Sequence, residues 1–507
     1  MAVCQSNRLD SNATGLRYAE EECLRQLPAN VTWHGLEPNS YNDFGGTITT
    51  QAREPISASR QREKGVVTDL EASGGFQQDL TIGNTWRLLQ GFLFADARER
   101  PTTMPLNGAP VALTAAAAAD KSVAAAAGLA GFKKGYIVQF GGFTKAENNV
   151  RRTVAADASA TKVTFKEAVS DETPPAGAYI NHVGIKFDTS ALNAVMNGKL
   201  FQLTGSNLNT YGFVPGEWVF IGGDNPTSRF ANNTGFARIS VVTPTAITFD
   251  KTDFAAQAEV GTNKSIEIYV GSIIRNEAEP SLIKRRSYQL ERYLGKDKDG
   301  DMSEYLVGAV PNEMTVNVSS ADKVTVDMSF MALDSEQRDG KAGLKAGTRP
   351  ISAPESAFNT SSDVHRIKLA EVVDESAVKP LYAFATELSI SVNNNVSASK
   401  AIGTLGAIDT TAGMFEVGGN MTAYFADISA VKAVRNNADI TLDMVMLKRN
   451  SGMVWDIPLL TLGNGRLTVE KDQAIMLPLD TNAVKGKFGY TLQIQRFSYL
   501  PNVAGGV

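Results

Sequence analysis

From about residue 305 onward, apolar and polar positions alternate in short runs. Val316 and Val318 alternate with Thr315, Asn317 and Ser319, and Val324, Val326, Met328 and Phe330 alternate with Thr325, Asp327 and Ser329. The same period of two recurs over 388–393, 440–446 and 491–495. One apolar face and one Thr/Ser/Asn/Asp face predict antiparallel sheets with one side in water. Helical spacing is rarer. Leu16, Ala19, Cys23 and Leu24 share a face over 15–26, and Pro28 closes the run, which predicts a short helix. Trp86, Leu89 and Phe92 predict another over 85–94, and a third is expected near 427–434. Residues 37–75 and 333–380 read as long polar loops broken by Gly and Pro, a length that commonly goes with binding a partner.

The middle of the chain repeats itself. Phe132, Gly135, Val138, Gly141-Gly142, Asn148-Asn149 and Val163-Thr164-Phe165 recur as Phe213, Gly216, Val219, Gly222-Gly223, Asn232-Asn233 and Ile247-Thr248-Phe249. The first blocks are offset by 216 − 135 = 81 residues and the later ones by 232 − 148 = 84, so one three-residue insertion aligns all of them. Each copy reads as a small all-β module: a glycine turn, an alternating strand, a Gly-Gly stop and a closing strand. Modules of ~50–60 residues are near the lower limit for an independent core, so the pair is expected to pack together or on a larger body. The preceding Ala-rich stretch, 106–130, offers little to bury and reads as a linker or a loosely packed lead-in.

Composition narrows the chemistry. Among 507 residues, 49 are Lys or Arg and 54 are Asp or Glu, so the formal net charge is −5. That balance is a poor fit to a protein that grips phosphate backbones. Hydrophobic content of 43% supports a packed core. Cys4 and Cys23 are too few for a disulfide scaffold and are expected to be reduced. No basic stretch followed by an apolar run opens the chain, and no apolar run reaches the ~18 residues of a membrane-spanning helix.

Candidate sites fare poorly. Asp297–Glu304 resembles a calcium loop, but the sixth and twelfth positions are Met302 and Gly308 where glycine and a bidentate carboxylate are needed, so a turn is expected. Gly463-Asn464-Gly465 lacks a third glycine at nucleotide-binding spacing. His34, His182 and His365 are far apart in sequence and lack ligand neighbours. No catalytic, metal or cofactor-binding residue is assigned, and no cofactor is expected. Arg53, Arg60, Arg62 and Lys64 are either a solvated hairpin tip or contacts to acidic residues of another copy.

The run Arg60-Gln-Arg62-Glu-Lys64-Gly65 through Gly75-Phe76-Gln-Gln-Asp79-Leu80 resembles the N-terminal part of tail tube proteins of long-tailed bacteriophages. The segment from Phe415 through Tyr424-Phe425 resembles a later part of them, and the two modules resemble repeats inserted in some members. The resemblance covers roughly 40–100 and 305–500. The chain departs from it in size, through the 106–281 insertion. It implies a mainly β fold: a tail-tube-type two-sheet sandwich or barrel with a flanking helix, plus two small all-β modules. The tube body is then expected over 1–105 and 282–507, and the modules over about 125–184 and 205–272 of an outward-facing, removable insertion. It further implies a structural virion protein, made in the host cytoplasm. It would not be an enzyme, and would form stacked, hexameric rings that conduct DNA. Tape measure, tail terminator and distal tail proteins would be its partners. Six copies would carry 6 × −5 = −30 formal charges per ring, which repels DNA as cargo. On this reading Thr325, Asp327, Thr441 and Asp443 are expected to face the channel. The rival classes are a secreted glycan-binding β-sandwich, which predicts a signal peptide and aromatic platforms, and a carboxylate-based hydrolase, which predicts a cleft with a perturbed carboxylate.

Overall fold

A computed structural model describes residues 11–56, 58, 60–187, 194–351, 354–373, 377–380, 384–426 and 428–505. Cys4 and Asp427 lie outside them. The alternating runs form two β layers around one core.

The first layer pairs Glu63–Asp79, Thr325–Ala332, the second half of Asp301–Ser319, Ala385–Asn393, Glu416–Tyr424 and Met476–Ala483, in that order. The second layer pairs Val364–Val373 with Ile440–Lys448, then Ser451–Asn464, Gln493–Phe497 and Ser272–Arg275. The layers join where Leu460–Asn464 runs beside Leu479–Ala483. Met314, Val316, Val326, Met328, Leu388 and Ile390 of the first layer are buried in one cluster with Ile440, Leu442, Met444 and Trp455 of the second. Trp86–Phe92 is a helix, as its spacing predicts, and Trp86, Leu89 and Phe92 bury into that core. A second helix, Ser429–Arg435, lies where the third was expected.

Three readings need correction. Residues 15–26 are not a helix: Gly15–Glu20 is a strand between His34–Leu36 and Tyr288–Lys296. Leu16 and Tyr18 are both buried at a spacing of two, and two strand neighbours outweigh the weak helical stripe of Leu16, Ala19, Cys23 and Leu24. The Ala-rich linker is a hairpin, Leu113–Ala117 with Ser122–Ala125, paired to Lys162–Thr164. Ala116, Val123 and Ala125 belong to the module core. The two polar stretches carry strands that the sequence reading missed. Pro38–Arg53 and Glu63–Asp79 form one long hairpin, and 333–380 contains Asp334–Arg338 and Val364–Val373. Between those two strands, Glu355 accepts hydrogen bonds from the Thr81 hydroxyl at 2.5 Å and the Gly83 amide at 2.9 Å, so the chain supplies its own partner.

The two modules share one sheet. Tyr136–Gly141, Tyr179–Lys186, Glu267–Tyr269, Trp218–Ile221, Gly235–Val242 and Ala246–Thr252 pair in succession. Residues from both copies fill a single core. Gly135 and Gly216 take φ of 85° and 87°, the left-handed turn that the repeat predicts. The Asn-Asn motifs clasp a neighbouring carboxylate in each module. Asn148 donates to Glu172 at 2.9 Å and accepts from the Ser170 amide at 2.9 Å. Asn233 donates to Glu259 at 3.0 Å and accepts from the Gln257 amide at 2.9 Å.

Candidate functional site: two unlike faces and an unpaired arm

Each layer has one face on the core and one facing away, and the two outer faces differ. On the first layer the outward positions are polar and open: Gln77 and Asp79, then Thr325, Asp327 and Ser329. They continue as Glu313, Thr315 and Asn317, then Glu387, Ser389, Ser391 and Asn393, then Glu416, Asn420 and Thr422, and finally Asp480 and Asn482. Six are carboxylates, and the paired segments of these strands contain no Lys or Arg. Amide side chains hold several of them. Gln77 and Asn317 donate to Asp327 at 3.0 and 2.7 Å, and Asn393 donates to Glu313 at 3.1 Å. The cation Lys323 pairs with Asp79 at 2.7 Å, at one edge. Thr325 and Asp327 are half-buried on this face.

The second layer's outer face is covered by the inserted sheet. Trp218, Phe220, Phe236 and Tyr269 pack on Val445, Leu447, Val454 and Phe497. The Gln495 side chain accepts from the Trp218 amide at 2.9 Å and donates to the Trp218 carbonyl at 2.6 Å, pairing with its backbone as a strand would. Between these contacts lies a sealed charge network. Arg238 binds Asp250 at 2.7 Å and Asp456 at 3.0 Å; Lys251 lies 3.3 Å from Asp443 and 3.4 Å from Asp456; Arg366 lies 2.8 Å from Asp443. Tyr490 donates to Asp456 at 2.9 Å. The partly exposed Lys487 lies 3.5 Å from Asp250 at the rim, so four cations face three carboxylates. Burial raises the Asp250 carboxyl and disfavours its ionised form, but the Arg238 guanidinium outweighs it and holds the carboxyl below the usual range. Burial, with Arg238 nearby, lowers the Lys251 ammonium.

This corrects one expectation. Thr441 and Asp443 do not border open space: they are 0% and 1% exposed, beneath the inserted sheet. Alternation shows that they turn from the core. It does not show that a second segment, about 190 residues earlier, brings Lys251 and Arg238 onto them. Sequence reasoning missed the buried Lys251 and Arg238 as partners of Asp443 and Asp456, because these residues are distant along the chain.

The long hairpin carries the basic group. Beyond its pairing with Thr325–Ala332, which ends at Ala72, it has no further strand neighbour among the described residues. Arg53, Arg60, Arg62 and Lys64 are exposed along this arm. Arg53 pairs with Glu63 at 3.0 Å and Arg62 with Glu54 at 3.0 Å, both within the arm. Ile48, Ile56, Val66 and Val67 are exposed beside them.

Other candidate motifs resolve as structure. Asp297 accepts the amides of Asp299 and Gly300 at 2.8 and 2.9 Å, closing a turn on itself. His182 is buried and stacked on Tyr136 with 3.8 Å between ring centroids. Burial raises the Glu217 carboxyl, yet Glu217 is sealed and bonded to Arg100 rather than set in a cleft.

A profile of phage tail tube proteins matches residues 11–483. The chain belongs to the phage tail tube protein family. No match was found among curated proteins. The tail tube match spans the first layer, the inserted modules and all of the second layer except Gln493–Phe497, so the mainly β sandwich is the scaffold of a structural tail protein. Its family implies a place in the virion, assembled with itself and with other tail components. No helix among the described residues is long and apolar enough to cross a membrane.

Proposed function

We propose that this tail tube protein self-assembles into hexameric rings that stack into a conduit for DNA, with the open sheet as the channel wall. The observation that carries this reading is the contrast between the two outer faces. One is covered by the chain's own inserted sheet. The other stays open and polar, with six carboxylates and no basic side chain on its paired strands. Phosphate finds no cationic donor on those paired strands, and repulsion of like charge acts over the ~8–10 Å Debye length at physiological salt. Residues 11–105 and 272–505 form the tube-building body on this reading, since Ser272–Arg275 is a strand of the second layer, and the inserted sheet before it faces outward. The subunit works by shape and charge, without catalysis, and the tape measure, terminator and distal tail proteins meet the finished tube at its ends. Electron microscopy of the purified protein tests this. Hollow rings or tubes with the open sheet inside are expected; a monomer at high concentration under all conditions, or solid filaments, would refute it.

A further inference from the structure

Lys251 is the one buried lysine among the described residues. The side chains of Lys251, Asp443 and Asp456 are no more than 4% exposed, so the three groups meet out of solvent. Asp443 and Asp456 stand directly opposite each other on neighbouring strands of the second layer. Lys251 reaches between them from the inserted sheet, with Nζ 3.3 Å from Oδ1 of Asp443 and 3.4 Å from Oδ1 of Asp456. Its ammonium also donates to the Thr441 hydroxyl, and the Trp218 ring centre lies 5.8 Å away. The other oxygen of Asp443, Oδ2, is buried and accepts no hydrogen bond, although the Arg366 guanidinium stands 2.8 Å from it.

We propose that Lys251 and Asp443 condense to an intramolecular isopeptide bond that fastens the inserted sheet covalently to the second layer, with Asp456 carrying the proton. A buried lysine readily becomes a neutral amine, and a neutral amine is a nucleophile. Burial, with Arg238 nearby, lowers the Lys251 ammonium and favours that form. One proton passes from Nζ to Oδ1 of Asp443. The Nζ lone pair then attacks Cγ, and the negative charge that develops on Oδ2 faces Arg366. Asp456 takes a second proton from the nitrogen and hands it to Oδ1, which leaves as water while the carbonyl re-forms on Oδ2. The three protons of the ammonium end as one amide hydrogen and one water, and Asp456 is regenerated. No oxidant or co-reactant enters. One cation and one carboxylate vanish together, so the network keeps its net charge and two buried charges no longer need compensation. The fold holds the reacting groups in contact, and the covering sheet excludes the water that would reverse the step. The bond closes a span of 192 residues within one chain, whether or not copies assemble.

The test is the intact mass of the purified full-length wild-type chain, measured under denaturing conditions. A chain one water lighter than its sequence requires is expected. Protease digestion should then give one branched peptide that joins the strand Ala246–Thr252 to the strand Ile440–Lys448. Lys251→Met should carry its full sequence mass, and Asp456→Asn should stay largely unlinked. Asp443→Asn should lose one ammonia in place of water and arrive at the mass of the wild-type product, because the same amide forms. A wild-type chain at full sequence mass overturns the proposal. So does a loss of water that persists in Lys251→Met or that maps to other residues. An Asp456→Asn chain linked as fully as the wild type overturns the role given to Asp456.

Discussion

Asp327 and Asp443 occupy equivalent places in the sequence pattern. Each sits among alternating apolar residues, on a strand whose other face enters the same core. Asp327 lies on an open face, held by Gln77 and Asn317. Asp443 is 1% exposed and held by Lys251 and Arg366 under a third layer. A period of two therefore tells which way a side chain turns, not what waits there. The covering layer turns one polar face into an interior and leaves the other open.

The largest effect should come from removing the cover. The repeats look removable in sequence, but excising 111–270 would bare Val445, Leu447, Val454 and Phe497 and leave Asp443 and Asp456 without Lys251 and Arg238. The shortened chain is expected in the insoluble fraction, and a soluble, assembling body would break the comparison. Breaking the network at one point should cost less. Asp456→Ala leaves Arg238 and Lys251 buried with too few partners, for a loss of about 3–5 kcal/mol measured by denaturant unfolding. A loss under ~1 kcal/mol would mean that water already reaches the site.

Acid should act on the covered face through Asp250. Its folded-state pKa is lowered, so its contribution is present above the unfolded value and is lost as pH falls below ~4. Asp250→Asn should therefore flatten the stability profile in that acid range, read as the melting temperature against pH, while lowering stability at pH 7. The smallest effect belongs to the open face. Glu387→Gln, Glu416→Gln and Asp480→Asn, all at exposed positions, should each change stability by no more than ~0.5 kcal/mol. A larger loss would show that this face is packed in the monomer.

The sequence showed the strands plainly where one face is apolar, as at 314–318 and 324–330, because a period of two survives any tertiary context. It misplaced 15–26, where Leu16 repeats with Ala19 and Cys23 at helical spacing and with Tyr18 at strand spacing, and the deciding partners, His34–Leu36 and Tyr288–Lys296, lie elsewhere in the chain. The module clasp was partly legible. Asn148 and Asn233 mark it, but their carboxylates are offset by 259 − 172 = 87 residues where the asparagines are offset by 233 − 148 = 85, so a fixed-period comparison passes over Glu172 and Glu259. The basic group on the arm was visible. Its pairing with Glu54 and Glu63 across the hairpin was not, since 37–75 reads as loop and the strand register is set by Ile48 facing Leu70 and Arg53 facing Glu63.

The central claim is that the open sheet lines the channel and the covered sheet faces away from it. A three-dimensional reconstruction of the assembled tube by electron cryomicroscopy tests this most directly. Asp327, Asn317, Ser389 and Asn420 should line the bore, with the 113–269 layer on the outside. A bore lined by the inserted modules, or an open sheet facing outward, would contradict the account.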